Sequence, residues 1–206
     1  MDAKWTFLEC QQCQLRLPLD LAQYSGKFCP RCGGEMRVDI TSNPGIQPPR
    51  VPARREISLL LDNIRSAHNL GAIFRSADGA GVQRLYLCGI TPRPDENAAI
   101  RKTALGAEKS LAWEYHPNAP RLLQSLMHKP TTVLALESTT LSSSLFDYTP
   151  PAGPLLLIAG NEAAGVDPAL LQAAHAALHL PMQGLKGSLN VAEALSIALY
   201  HLSFAV

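Results

Sequence analysis

Five short, mostly apolar runs constrain this chain more than anything else in it. They lie at 57–61 (ISLLL), 84–88 (RLYLC), 132–136 (TVLAL), 155–159 (LLLIA) and 178–182 (LHLPM). A strand with one wet face alternates apolar and polar residues. A strand that is apolar throughout needs cover on both faces, as in a parallel sheet between helices. The intervening segments supply helices: 70–80, closed by Gly79 and Gly81, then 120–128, 168–177, and a long apolar helix after Asn190. The expected fold class is α/β, a mainly parallel sheet built from residues 57–206. Residues 89–118 read as polar and irregular. Cys88, inside a strand, reads as a small core residue.

The 206 residues suit one such domain plus a small appendage, and an apolar share of 47% provides a core. A formal net charge of +1 neither announces nor excludes a nucleic-acid partner. No apolar run approaches 18 residues, so no membrane span is expected. The first residues, MDAKWTFLECQQC, lack the basic and apolar regions of a secretory signal. The expected compartment is the cytoplasm.

The appendage is residues 1–40, which hold Cys10, Cys13, Cys29 and Cys32 in two C-x2-C pairs separated by fifteen residues. Two such knuckles can place four thiolates around one tetrahedral ion. Two disulfides or a redox pair would use the same cysteines, but suit an oxidising compartment or a single pair. The expectation is structural zinc in a zinc-ribbon-like module, with no coordination position left for catalysis. Trp5, Phe7, Tyr24 and Phe28, with Arg16, Lys27, Arg31 and Arg37, either grip RNA or pack around the metal. Residues 41–56, rich in proline and arginine, read as a semi-rigid linker. Its Arg50, Arg54 and Arg55 either touch phosphates or stay solvated.

Chemistry in α/β proteins collects where polar residues interrupt strand–helix junctions. Three such islands follow residue 56. The first holds Asn63, Arg65, His68, Asn69 and Arg75; the second Gly160, Asn161, Glu162 and Gly165; the third Ser188 and Asn190. None forms a phosphate loop or a dinucleotide fingerprint. Ser188 is read either as a helix cap or as a ligand contact. Asn161-Glu162 is read either as a turn with a helix-start acid or as part of a site.

Taken together and in order, the islands resemble the SpoU/TrmH branch of the SPOUT RNA methyltransferases. NLGAIFRSADGAGV (69–82), LLLIAGNEAAGV (155–166) and LPMQGLKGSLNVAEALSIAL (180–199) are similar to its three motifs, and KTALGA (102–107) also matches. The resemblance implies a C-terminal trefoil knot, S-adenosylmethionine as cofactor, and a homodimer that methylates a ribose 2′-hydroxyl of tRNA or rRNA. It places Asn69, Arg75, Glu162, Ser188 and Asn190 on the catalytic side. It places Gly160, Leu180, Met182, Ser188 and Leu189 around the cofactor. An arginine, with pKa above about 12, is an awkward base. Arg75 is therefore expected to hold a phosphate and polarise the hydroxyl.

Two positions depart from the family pattern. Ala163 stands where the second motif has glycine, which would be costly if the backbone there were left-handed. Glu193 stands where a small or apolar residue is common. The competing readings are a non-catalytic RNA-binding protein with a decayed methyltransferase domain, and a base-nitrogen methyltransferase of the same knotted class.

Overall fold

β4 (Ile57–Asp62) is the strand around which the larger unit is built, with five of its six side chains buried. It pairs in parallel with β5 (Arg84–Cys88) on one side and β9 (Leu155–Ala159) on the other. In this computed structural model, residues 5–42, 49–128 and 130–204 are described. Pro52–Val206 forms one unit and Met1–Val51 another. The division falls inside the proline-rich segment.

The sheet of the larger unit has seven strands in the order β6-β5-β4-β9-β7-β10-β8. The remaining members are β6 (Ala112–His116), β7 (Thr132–Leu136), β8 (Ser143–Ser144) and β10 (Ala176–His179). Every pairing in it is parallel. One face carries the larger core, in which Leu59, Leu61, Leu85 and Leu157 meet Ile73 and Phe74 of α1 (Ala67–Ala80) and Leu195 and Leu199 of α6 (Val191–Phe204). The other face packs Leu60, Leu156 and Ile158 against Leu122 and Leu123 of α4 (Ala119–Leu126) and Leu170 of α5 (Pro168–Ala173). Two-sided cover is what the continuous apolar runs required. Cys88 is a buried member of this second core.

Three expectations about elements need correction. Residues 89–118 are not irregular: they contain α2 (Ala98–Ala104), α3 (Ala107–Ser110) and the edge strand β6. The helix expected over 168–177 stops at Ala173, and Ala176 and Ala177 pair with Leu134 and Ala135 of β7. The strand expected over 178–182 ends at His179. Gly79 lies within α1, whose left-handed cap is Gly81, φ 76°.

Linker arginines find partners within the larger unit. Arg55 donates to the carbonyl of Pro151 at 2.6 Å, and Arg54 sits 5.8 Å from the centroid of the Phe204 ring. These contacts tie the segment before β4 to its own domain.

The smaller unit is an antiparallel sheet in the order β2-β1-β3, from β1 (Trp5–Cys10), β2 (Arg16–Asp20) and β3 (Met36–Ser42). Cys10 ends β1 and Cys13 lies on the turn after it, while Cys29 and Cys32 lie at the turn that precedes β3. Residues 43–48 of the expected linker lie outside the described residues.

Candidate active site

A cavity of about 440 Å³ opens at the carboxyl ends of β7, β9 and β10. Such strand ends are where open α/β sheets bind ligands. Three loops wall it: residues 137–138, 160–165 and 180–190.

The residues of the first and third islands come together with those of the second through one side chain, Asn69. Its amide nitrogen donates to Glu162 Oε1 at 3.0 Å, and its Oδ1 accepts from the Asn190 amide at 3.0 Å. Residues 93 and 121 positions apart are thereby linked in one chain, Glu162–Asn69–Asn190. Local geometry aims each member. Ser66 caps α1 by accepting from the Asn69 N–H, which fixes Asn69 in the first turn. Asn190 caps α6, its Oδ1 accepting from the Ala192 N–H at 2.8 Å. Capping at this terminus thus falls to Asn190, and Ser188 is left exposed at the cavity wall.

Glu162 also holds the loop before α1. Its Oε2 accepts from the Arg65 N–H at 2.8 Å and its Oε1 from the Ser66 N–H at 3.1 Å. Partial burial raises its pKa, but the N–H of Arg65, the Asn69 amide and further backbone N–H groups outweigh this and leave it lowered. The carboxylate is therefore ionised at neutral pH, with its oxygens committed to backbone and amide donors. That arrangement suits an organiser of the loop better than a proton carrier.

Gly160, Leu180, Met182 and Leu189 all line the cavity. Gly160 is there for a steric reason: a Cβ would stand 2.2 Å from the carbonyl oxygen of Gly165. Gly165 itself has φ 77° and exchanges both backbone hydrogen bonds with Asn161. Ala163 is not among the residues with positive φ, so the missing glycine carries no backbone strain.

Arg75 is not at this cavity. It is exposed on α1, six positions beyond Asn69, or about 9 Å along the axis at 1.5 Å per residue. Helical twist also turns it away from Asn69 by roughly a third of a circle.

Two residues organise the loops around the site: Asn161, which the sequence places in a polar island without a role, and Glu137, which escapes the sequence reading. Asn161 closes the second loop, its Oδ1 accepting from the N–H groups of Ala163 and Ala164 and its amide donating to the Asn63 carbonyl at 2.7 Å. Glu137, at the carboxyl end of β7, accepts from the N–H of Val166 at 2.8 Å and of Ser138 at 3.0 Å. The available signal was position: each is a polar residue directly beyond, or one past, a mostly apolar strand.

In the smaller unit the thiol sulfurs of Cys10, Cys13, Cys29 and Cys32 all lie within 4.8 Å of one another. Cys10 and Cys32 are 3.5 Å apart, Cys13 and Cys29 3.6 Å. The Cys13 N–H lowers the Cys10 pKa to about 6. Cys32 has the Gly34 N–H to favour its thiolate, yet the Cys13 and Cys10 thiols push it up to about 12. Four thiolates this close repel one another, and a cation among them removes that repulsion. The cluster can bind a metal ion.

Residues 56–200 match the model of the SpoU rRNA Methylase family, which covers 145 of the 206 residues. The chain belongs to the SpoU rRNA methylase family. One relative is the 23S rRNA (guanosine(2553)-2′-O)-methyltransferase RlmP of Bacillus subtilis, 33% identical over 144 residues, which are 70% of this chain and 56% of the relative. Another is the tRNA (guanosine(18)-2′-O)-methyltransferase of Aquifex aeolicus, 29% identical over 71% of this chain and 68% of the relative. An AdoMet-bound rRNA methyltransferase from Sinorhizobium meliloti superposes with a TM-score of 0.67 at 28% identity, covering 71% of this chain and 55% of that one. The chain thus spans just over half the length of several SpoU relatives, including RlmP. Among the described residues no helix is long and apolar enough to cross a membrane.

Proposed function

We propose that the chain transfers a methyl group from S-adenosylmethionine to a ribose 2′-hydroxyl of tRNA or rRNA. The observation that carries this reading is the hydrogen-bonded chain Glu162–Asn69–Asn190 at the mouth of the cavity. It ties the three motifs into one rigid edge where a strand of RNA can meet the cofactor.

The cavity fits the cofactor. Its volume suits a nucleoside-sized ligand. Leu180, Met182 and Leu189 offer apolar contact for an adenine face, and Gly160 leaves the backbone open beside it. Bound there, S-adenosylmethionine supplies an electrophilic methyl group. The chain's own residues do the rest. Ser188, exposed at the wall, is placed to hold the reacting ribose or the cofactor's polar tail. Asn69 and Asn190 orient that edge, and Glu162 keeps them aimed. Arg75, always charged, binds the phosphate next to the reacting nucleotide and polarises the hydroxyl. The trefoil knot implied by the resemblance belongs to this reading, as the topology of the loops that wall the cavity.

The working form in this reading is a homodimer. Ile197, Tyr200 and Phe204 recur at helical spacing on α6 and are exposed, with Glu193 one turn before them, whereas Leu195, Ala198, Leu199 and Leu202 are core. An apolar stripe of this kind suits a second copy. It is also the route by which Arg75 of one copy could serve a site it does not reach in its own.

The four cysteines are read as a structural zinc site. A tetrahedron with arms of roughly 2.3 Å has edges of about 3.8 Å, and the Cys10–Cys32 and Cys13–Cys29 sulfur pairs, at 3.5 and 3.6 Å, lie near that value. The compartment expected for such an enzyme is the cytoplasm.

The decisive experiment is methyl transfer from labelled S-adenosylmethionine into total tRNA and, separately, rRNA, with digestion to nucleosides. Label in a 2′-O-methyl nucleoside supports the reading and selects the RNA. Label on a base favours the base-nitrogen alternative. RNA binding without cofactor binding or label favours a decayed domain.

A further inference from the structure

α1 and α2 meet along a seam that only glycine permits. A Cβ on Gly71 would stand 2.1 Å from Thr103 Oγ1 and 2.3 Å from the carbonyl oxygen of Ile100. The Thr103 hydroxyl donates across the seam to the His68 carbonyl at 3.0 Å. α2 is therefore fixed against the first turns of α1, the helix that carries Asn69.

The cations beside this seam follow from helix geometry. On α1 the buried Leu70, Phe74 and Ala77 lie to one side of Gly71. Arg75, one turn on, and His68, one turn back, lie to the other, and both are exposed. On α2 Ile100 and Ala104 point into the core, which leaves Arg101 and Lys102 on the solvent side. Among the described residues, none of Arg75, Arg101 and Lys102 takes part in an ion pair. The acid nearest in sequence to Arg75 on its face, Asp78, accepts instead from the Ser110 hydroxyl at 2.9 Å. Three exposed cations, without ion pairs among the described residues, thus ride on two helices fixed to each other at Gly71, and a polyanion laid over them is attracted to all three.

We infer that Lys102, supported by Arg101, grips an RNA phosphate beside the one held by Arg75, and so fixes the register of the strand at the site. The inference rests on the proposed function and adds a binding residue to it. Lys102 touches substrate, does not touch the cofactor, and acts on RNA affinity before chemistry.

The test uses the full chain with total tRNA and total rRNA as probes, and the variants K102Q and K102R. Lys102 is exposed on α2, so neither substitution disturbs the core. K102Q should weaken RNA binding roughly tenfold and reduce the slope of log affinity against log salt by about one, since one phosphate contact is lost. KM for RNA should rise in step, kcat should hold within about threefold, and cofactor affinity should not change. K102R should restore most of the affinity. A K102Q protein with wild-type RNA affinity and salt slope overturns the clamp. If the wild type meanwhile transfers methyl to ribose, the proposed function stands alone. A wild-type protein that binds neither RNA pool overturns both.

Discussion

Asn69 shows how one side chain can carry more than its own chemistry. Its amide donates a hydrogen bond to Glu162 and its carbonyl accepts one from Asn190, so its flipped orientation would break both contacts at once. Glu162 is the anchor of that arrangement. Its folded pKa is lowered, so its contribution is present above the ordinary carboxylate pKa and is lost as pH falls through the lower folded value. Two consequences are measurable. Thermal stability of the wild type should drop below about pH 4.5, and that of E162Q should fall less steeply in the same range. E162Q also turns an NH2 toward the N–H groups that the carboxylate now accepts. With an exposed group the loss should sit at the low end of a charge-assisted hydrogen bond, about 1.5 kcal/mol, or roughly tenfold in kcat, read by single-turnover methyl transfer. Unchanged turnover would remove Glu162 from the working set. Sequence made Glu162 visible because it follows a buried strand within a motif. It could not show that Asn69 is the shared partner, because a hydrogen bond across 121 positions leaves no local pattern.

Elements were legible in proportion to how much of their pattern comes from burial. β4, β7 and β9 are buried on both faces, and their apolar runs coincide with the strands. β6 was missed because it is an edge strand whose side chains are partly exposed, AWEYH. α2 and α3 were missed because left-handed Leu105 and Gly106 break the helical period between them. The first half of β10, Ala176 and Ala177, reads as the end of a helix because alanine favours helices locally, whereas pairing with β7 decides it. The loop after β9 is the element on which the cavity most depends. Its closure needs Gly160 bare, since a methyl group would press on the backbone of Gly165, which cannot swing aside as a side chain can. G160A should therefore displace residues 161–165 and weaken S-adenosylmethionine binding about fivefold to 150-fold, given about 1–3 kcal/mol for overpacking. Calorimetric titration of the cofactor checks it. Affinity equal to the wild type would mean that this loop does not shape the cofactor site.

At the scale of the whole molecule, the net charge of +1 hides a division of labour between local cations and an apolar helix stripe. If α6 mediates the dimer, I197D places an uncompensated carboxylate in an apolar interface and should shift sedimentation from dimer to monomer. Methyl transfer should fall with it, because Arg75 is exposed and away from the cavity of its own chain. A monomeric I197D that retains full activity would place the arginine's work within one copy and end that argument. The smaller unit behaves differently. It exposes Trp5, Val38 and Ile40 on its three-stranded sheet and Tyr24 and Phe28 between β2 and β3, so little apolar surface remains to hold it together without the cysteine cluster. Metal removal should then unfold this unit alone. A strong chelator should abolish one of two thermal transitions and leave the other, that of residues 52–206 with its two buried cores, in place. C10S should reproduce the effect without chelator, because one thiolate fewer breaks the tetrahedral set. Cofactor affinity should survive both treatments, since every wall of the cavity belongs to the larger unit. A chelated protein that keeps both transitions would mean that β1, β2 and β3 hold without metal. A chelated protein that keeps its cofactor but loses RNA would assign the module to substrate recognition.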